Sequence, residues 1–304
     1  MKNMDEMKAI RGVYCYYFPE VREVIDEVCE NFPHDVFLSS ISPGLDDFDK
    51  PIIEKFVKYY SEDVPALKDF GYRYSTDGSR QGIFHLLAEI KAKNADEVIY
   101  VFEGEYEGYQ EYASRLGITI VEVSEDEDFS KLKPGYFFIS NPSGRDGNVI
   151  RNEVVTDICE SHKVVYDLAY LGMTELYEID VSNDNIVAVV ASMSKPFGMY
   201  YLRSGFTFTR KPLETLVANK WFKNIFSLVV TDRVLDRIRP RQLYDKYKLM
   251  QEKIISEINE DHGLNLKVSD VFLLANTSDK IEGFMRGDKF CRLCLTPYLL
   301  EEEK

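Results

Sequence analysis

Residues 183–206, NDNIVAVVASMSKPFGMYYLRSGF, join an apolar run to a lysine that stands between a serine and a proline. The segment 186–191, IVAVVA, is entirely apolar and rich in valine, which predicts a buried strand. Lys195 follows this strand closely, and Arg203 comes eight positions later. Because an unpaired buried lysine is costly, we expect Lys195 to be neutralised by a partner or to react with one.

Predicted strands and helices alternate on both sides of that stretch. Apolar runs predict six strands, and amphipathic spacing predicts helices between several of them. The predicted strands are EVIYVF (97–102), ITIVEV (118–123), GYFFIS (135–140), KVVYD (163–167), NIVAVVA (185–191) and GFTFT (205–209). This order predicts an α/β fold with a mostly parallel sheet covered by helices on both faces.

The two ends of the chain differ from this middle part. The segment 34–48 predicts a short extended piece that ends at a Pro-Gly break. The C-terminal part predicts two long helices, 211–240 and 241–263, followed by the short strands LNLKV, VFLLAN and CRLCL. We therefore predict a large domain over residues 46–230 and a small α+β domain formed by residues 1–45 and 231–304.

Composition argues against several classes of function. With 37 basic and 52 acidic residues the net charge is −15, so nucleic acid is not an expected partner. A run of about 18 apolar residues, which would predict a membrane span, does not occur. The charged N-terminus is not typical of a signal peptide. Five scattered cysteines, and four histidines without metal spacing, favour a cytoplasmic protein with no metal site.

Polar groups follow the predicted strands and open one predicted helix. Asn141 and Asp167 each end a strand, and Tyr170 lies three positions after Asp167. Ligands of open α/β sheets bind at the carboxyl ends of strands. The predicted helix begins at Gly78, Ser79 and Arg80, and the N–H groups of such a helix start suit a phosphate.

These groups together suit a ring that carries an aldehyde, a phosphate and a basic nitrogen. Lys195 would form a Schiff base with the aldehyde. Asp167 would keep the ring nitrogen protonated, and Asn141 and Tyr170 would hydrogen-bond the ring hydroxyl. Ser192, Ser194 and Arg203 are phosphate ligands by chemistry.

The motif order resembles that of the fold type I pyridoxal-phosphate enzymes, and within these the class I/II aminotransferases. N-P-x-G at 141–144, D-x-A-Y at 167–170 and S-x-S-K at 192–195 occur in that order, and the resemblance extends over most of the chain. It implies pyridoxal 5'-phosphate as cofactor, an aminotransferase-like large domain with a seven-stranded type of sheet, and a homodimer. Gly104 and Ser143 depart from the proline and threonine that are usual in the family.

The resemblance also implies roles for single residues. Lys195 would be catalytic, Tyr106 would stack on the cofactor ring, and Tyr74 would reach the phosphate of the partner subunit. The full set of implied cofactor ligands is Gly78, Ser79, Arg80, Tyr106, Asn141, Asp167, Tyr170, Ser192, Ser194, Lys195, Arg203 and Tyr74. Gly44, Asn141 and Arg292 would bind substrate, with Arg292 gripping its carboxylate.

The activity implied is transfer of an amino group between an amino acid and a 2-keto acid. A lyase, a decarboxylase, or a cyclase or oxidase of specialised amino-acid metabolism on the same scaffold is the alternative. A binding protein that kept the fold and lost the chemistry is a second alternative, against which the intact Lys195 and Asp167 argue.

Overall fold

The computed structural model describes residues 7–13, 18–40 and 44–302, and its centre is a seven-stranded sheet. Its strands are β1 (Tyr72–Thr76), β2 (Ile99–Phe102), β3 (Ile120–Val123), β4 (Tyr136–Ser140), β5 (Lys163–Leu168), β6 (Ile186–Ser192) and β7 (Gly205–Thr209). They lie in the order β1-β7-β6-β5-β4-β2-β3. Only β7 runs antiparallel to its neighbours, so the predicted α/β fold with a mostly parallel sheet is confirmed.

Helices cover both faces of this sheet because its strands are apolar on both sides. Phe137 and Phe138, neighbours on β4, belong to two different buried clusters, as the alternation of side chains along a strand requires. The helices are α1 (Pro19–Glu30), α2 (His34–Ser39), α3 (Lys50–Tyr59), α4 (Ser79–Lys93), α5 (Glu107–Arg115), α6 (Asn152–Cys159), α7 (Glu214–Val217), α8 (Ile225–Arg237), α9 (Gln242–His262) and α10 (Thr296–Glu302). None of the helices in the described ranges is long and apolar enough to span a membrane.

A second sheet of four antiparallel strands is built from the C-terminal part. Its strands are β8 (Lys267–Val268), β9 (Leu274–Thr277), β10 (Met285–Arg286) and β11 (Phe290–Cys294), in the order β10-β11-β9-β8. Ile10 bridges to Cys294, so part of the N-terminal segment joins this sheet. The division of the chain at residues 46 and 230 stays a prediction.

Four elements differ from the sequence-based expectation. The expected extended piece after residue 34 is the helix α2, and residues 41–43 of that stretch lie outside the described ranges. The expected helix 211–240 is broken into α7, a 3-10 turn and α8, with Asn224 capping α8 through Ser227 N–H. Strands β1 and β10 were not predicted, because both are short and carry polar residues at a sheet edge.

The strand register places the polar strand ends side by side. Ser140 at the end of β4 pairs with Asp167 on β5, and Leu168 pairs with Ala191 on β6. The carboxyl ends of β4, β5 and β6 therefore meet at one edge, directly before the segment that carries Lys195.

Candidate active site

A cavity of about 550 Å³ opens at this edge of the large sheet. It lies where ligands of open α/β sheets bind. Ten of the residues predicted from the sequence line it: Ser79, Arg80, Tyr106, Asp167, Tyr170, Ser192, Ser194, Lys195, Arg203 and Arg292.

The lysine side chain lies between two tyrosine rings inside this cavity. Lys195 Nζ is 4.2 Å from the centroid of the Tyr170 ring and 5.8 Å from that of Tyr106. An ammonium near aromatic faces is attracted by their quadrupoles. The rings thus hold the Lys195 amine just beyond the end of β6, close enough to the Asp167 carboxylate near the end of β5 to affect its pKa.

Asp167 is a buried carboxylate with one unused oxygen. Its side chain is 3% exposed; Oδ2 accepts a hydrogen bond from Tyr109 Oη at 3.2 Å, and Oδ1 has no partner. Burial raises the pKa of Asp167 to about 6, although Lys195 and the Tyr109 hydroxyl act in the opposite direction. A buried oxygen of this kind needs an explanation, and a cationic ring nitrogen would supply the missing partner.

The start of α4 and the segment after Lys195 form an anion cradle. Gly78 has φ +82°, which favours glycine, and a Cβ there would lie 2.9 Å from Arg203 Nη2. Arg203 is held by Asp77 O at 2.9 Å and lies 3.5 Å from Ser194 Oγ. The free N–H groups of α4, a guanidinium and two serine hydroxyls therefore surround a space that a phosphate can fill.

Arg80 lines the same end of the cavity, but its guanidinium is turned toward Glu111 and Tyr112 on α5. Its Nη2 pairs with Glu111 at 2.6 Å, and the guanidinium lies 4.8 Å from the centroid of the Tyr112 ring. The Arg80 Nε is buried without a partner. Arg80 therefore contributes positive charge close to the cradle.

Two buried arginines form the opposite wall, on the small sheet. Arg292 on β11 is 4% exposed and donates to Gly144 O and, at 3.1 Å, to Arg11 O. Arg286 on β10 is 6% exposed and donates to Glu105 O at 3.1 Å. The Nε atoms of both arginines are buried without partners. Burial, and then the neighbouring Arg292, lower the pKa of Arg286, while Glu107 acts in the opposite direction. Glu107 Oε1 lies 3.3 Å from Arg286 Nη1 and also pairs with Arg11, so one carboxylate is shared by two guanidiniums and the wall keeps positive charge that an anion would neutralise.

A close contact with this wall explains why position 104 is a glycine and not the proline that is usual in the family. Its φ is +77°, and a Cβ there would lie 2.6 Å from Arg286 O and 3.2 Å from Gly287 N. The backbone around Arg286 therefore crosses the segment before Tyr106 at a distance that only glycine permits.

Asn141 is not among the residues that line the cavity, and its contacts with cofactor and substrate stay a prediction. The Asn141 Nδ2 donates to Ile150 O at 2.8 Å and to Tyr166 Oη at 3.0 Å, and Oδ1 accepts from Ile150 N at 3.0 Å. Both polar atoms of the Asn141 amide therefore have partners, in Ile150 of the loop 141–150 and in Tyr166 on β5. Ser140, one position earlier, faces the cavity instead.

Tyr74 and Gly44 are also not among the residues that line the cavity of their own chain, and the predicted role of Tyr74 at the phosphate of the partner subunit stays a prediction. The Tyr74 hydroxyl accepts from Leu213 N of its own chain at 2.9 Å, because β1 packs its side chain toward α7. Gly44 is exposed, with no atom within 4 Å of the position of a Cβ. Nothing in the described ranges brings either residue to the groups around Lys195.

Nine further residues line the cavity that had not been predicted as site residues: Gly12, Val13, Glu107, Ser140, Gly144, Ala169, Tyr200, Tyr201 and Arg286. Tyr200 and Tyr201 lie between Lys195 and Arg203 in the sequence, and that position could have predicted their place in the cavity. For Arg286 the only indication in the sequence is weak, namely its place in the segment GFMRG before β11. Gly12 and Val13 reach the site by a long-range contact that local patterns do not show.

The sheet, the lysine after β6, the orphaned Asp167 oxygen and the cradle at Gly78 define a fold type I pyridoxal-phosphate protein. The chain belongs to the aminotransferase class I and II family, whose sequence profile matches residues 54–259. Members of this family use pyridoxal 5'-phosphate, and the residues described here fit each of its parts.

The chain is similar to a histidinol-phosphate aminotransferase from Hydrogenobaculum sp. (strain Y04AAS1), with 31% identity over 140 residues. This match covers 42% of the chain and 39% of that relative. The chain spans less than two thirds of the length of the curated relatives that it matches.

Solved structures show the same fold at low sequence identity. An aminotransferase from Staphylococcus aureus superposes with a TM-score of 0.76 at 12% identity, covering 98% of this chain and 92% of that one. A histidinol-phosphate aminotransferase from Sinorhizobium meliloti, solved with pyridoxal-5'-phosphate, gives 0.69 at 13% identity, covering 96% and 89%. At these identities the likeness establishes the fold alone.

Proposed function

We propose that this chain is a pyridoxal-phosphate-dependent aminotransferase that moves an amino group between an amino donor and a 2-keto acid. The observation that carries the proposal is the juxtaposition of the Lys195 amine with the half-satisfied Asp167 carboxylate at one strand edge. A packing role explains neither a lysine nor an orphaned carboxylate oxygen in this place.

The residues of the site divide the work among them. Pyridoxal phosphate, when bound, supplies a carbonyl carbon that takes up the amino group and a ring that accepts electrons. Ser79, Ser192, Ser194 and Arg203 would hold the phosphate, and Asp167 would keep a positive charge on the ring nitrogen. Lys195 Nζ would hold the aldehyde carbon until the amino donor displaces it, and the freed amine would then take the proton that leaves the donor's α-carbon.

We further propose that the amino donor carries an anionic group bound by Arg286 and Arg292. Both guanidiniums are buried, both keep an unpartnered Nε, and they face the cavity from one wall. A carboxylate or a phosphate accepts hydrogen bonds from such a pair. The names of the matched relatives make histidinol phosphate the first donor to test. Glutamate, an amino acid with a second carboxylate, is the second.

The test is a half-reaction with one substrate. The protein loaded with pyridoxal phosphate is mixed with histidinol phosphate or with glutamate, without a keto acid. An aminotransferase converts one equivalent of cofactor to its aminated form, seen by absorbance, and then stops. Continuous release of carbon dioxide or ammonia would assign the chain to the decarboxylases or lyases, and a protein that binds no cofactor would contradict the proposal altogether.

We expect Arg292→Lys to weaken donor binding while leaving the cofactor in place. Lysine cannot reproduce the two parallel donors of a guanidinium. Loss of a charged hydrogen-bonding partner from a buried site costs on the order of 2–5 kcal/mol, about one and a half to three and a half decades in affinity. The measurement is a titration of cofactor absorbance with the better donor. Lys289→Ala, which removes an exposed cation from the same hairpin, is the control, and equal affinities in all three proteins would remove Arg292 from the binding wall.

We propose that the protein acts as a homodimer, with a second copy covering the mouth of the cavity. Tyr201 is 89% exposed at that mouth, and the exposed Phe222 lies on the other side of Arg203. Two large exposed aromatic rings beside a charged site are typical of an interface. Light scattering should show a dimer, and Tyr201→Asp with Phe222→Asp should shift it to monomer with loss of activity. A fully active wild-type monomer would contradict this assembly.

A further inference from the structure

Glu105 is a buried carboxylate that the reaction itself does not use. It lies on the segment between β2 and α5, directly before Tyr106, and is 5% exposed. Its Oε1 accepts from Tyr106 N at 2.9 Å and from Ser140 Oγ at 2.6 Å, and its Oε2 accepts from Ser140 N at 3.3 Å. A buried charge with three hydrogen-bond donors around it fixes the backbone that supplies them.

The backbone held in this way carries the acceptors of the arginine wall. Glu105 O itself accepts from Arg286 Nη2 at 3.1 Å. Ser140 Oγ, while donating to Glu105, accepts from Gly144 N at 2.6 Å, and Gly144 O accepts from Arg292 Nη1. A Cβ at Gly144 would lie 2.7 Å from Glu105 Oε1, so the loop is pressed against the carboxylate. One carboxylate thus sets the positions of two carbonyl groups, one for each guanidinium.

We infer that Glu105, acting with Ser140, is a positioning residue that aims Arg286 and Arg292 at the anionic group of the substrate. This inference rests on the proposed function, since it assumes that the arginine wall binds an anion. Glu105 stays behind Tyr106 and Ser140 and does not line the cavity, so its effect passes through the two arginines. A displacement of about 1 Å in a binding group costs up to roughly 100-fold.

The decisive variant is Glu105→Gln, which keeps the size of the side chain. If the amide NH₂ takes the place of Oε2, it faces the Ser140 N–H. If it takes the place of Oε1, it faces the Tyr106 N–H and the Ser140 hydroxyl. At least one donor therefore loses its acceptor in either orientation. The two probes are histidinol phosphate and 2-oxoglutarate, the 2-keto acid that corresponds to glutamate. We expect the apparent Kd and KM for both probes to rise about 10- to 100-fold. We expect kcat and cofactor affinity to change less than about threefold, because the cradle at Gly78 is untouched and the Tyr106 ring keeps its packing against Tyr109.

Two further variants keep the test decisive. Ser140→Ala removes the hydroxyl that links Glu105 to Gly144, and it should raise the same Kd about three- to tenfold even if Glu105→Gln does not fold. Glu125→Gln alters a nearby carboxylate that pairs with Arg145, and should change nothing. The double variant Glu105→Gln with Ser140→Ala should bind the probes only slightly more weakly than Glu105→Gln alone, because both residues act on one loop.

The outcomes separate this inference from the proposed function. Two results would overturn the role of Glu105 and leave the proposed function standing. The first is equal binding of the probes by wild-type and variant proteins. The second is a Glu105→Gln protein that loses as much affinity for the cofactor as for the anion. A wild-type protein that binds pyridoxal phosphate but neither probe would overturn the proposed arginine wall together with the role of Glu105.

Discussion

Lys195→Ala is expected to abolish amino-group transfer while leaving the fold intact. Proton transfer by a positioned side chain contributes about 10²- to 10⁴-fold, and Lys195 is the amine placed beside both Asp167 and the tyrosine rings. Alanine removes this proton carrier together with the covalent hold on the cofactor aldehyde. We therefore expect turnover to fall by at least about 10²- to 10⁴-fold with either donor.

A covalent label provides the measurement. Borohydride treatment of the loaded wild-type protein should leave a pyridoxyl group on the peptide that contains Lys195, detected by mass spectrometry, and none in Lys195→Ala. Lys93→Ala, an exposed lysine on the outer side of α4, is the control and should keep both label and turnover. A label on another lysine, or full turnover in Lys195→Ala, would remove Lys195 from the centre of the proposed mechanism.

Local sequence patterns predicted the large sheet well because its strands are buried on both faces. The segments at β4, β5 and β6 are largely apolar runs, and a polar residue, Ser140, Asp167 or Ser192, is the last or the last but one of each strand. Since parallel strands share one carboxyl edge, Asp167 and Lys195 could be placed together without coordinates. The motifs S-x-S-K and D-x-A-Y were therefore sufficient to predict that Asp167 and Lys195, which we propose hold the cofactor, line one cavity.

The substrate side was less predictable because it depends on contacts between distant parts of the chain. Arg286 lies on a two-residue strand, and its place in the cavity depends on the close crossing at Gly104. Asn141 matches the family motif, but its amide is used by Ile150 and Tyr166. A motif gives the position of a residue along the chain and leaves open which hydrogen bonds its side chain makes.

Asp167→Asn is expected to separate activity from stability. The change keeps an acceptor for the Tyr109 hydroxyl and removes the negative charge. Without that charge the ring nitrogen is not held protonated, so we expect turnover to fall roughly 10²- to 10³-fold, as for the loss of other preorganised electrostatic groups. Cofactor affinity should fall far less, because Arg203 and the start of α4 still hold the phosphate.

The same substitution should stabilise the protein when no cofactor is bound. The pKa of Asp167 is raised from 3.8 to about 6 in the folded chain, so the folded state favours the protonated acid. The cost of ionising it in the folded state therefore grows as pH rises from about 4 through 6, and is complete above that range. A pKa difference of about two corresponds to about 3 kcal/mol of stability, which the wild-type protein loses at high pH and the Asp167→Asn protein keeps.

Urea unfolding of the cofactor-free proteins at different pH values measures this effect. Asp167→Asn should exceed wild type by about 3 kcal/mol at pH 8 and lose that advantage near pH 4, since both side chains are then neutral in both states. Asp157→Asn, an exposed change on α6, should follow wild type throughout. Binding of pyridoxal phosphate should make the wild type the more stable of the two proteins. The cationic ring nitrogen of the cofactor would stabilise the ionised Asp167 and would give the Asn side chain no comparable stabilisation. Equal stabilities at pH 8 would mean that Asp167 bears no ionisation cost, and that the site is not built to receive a cation.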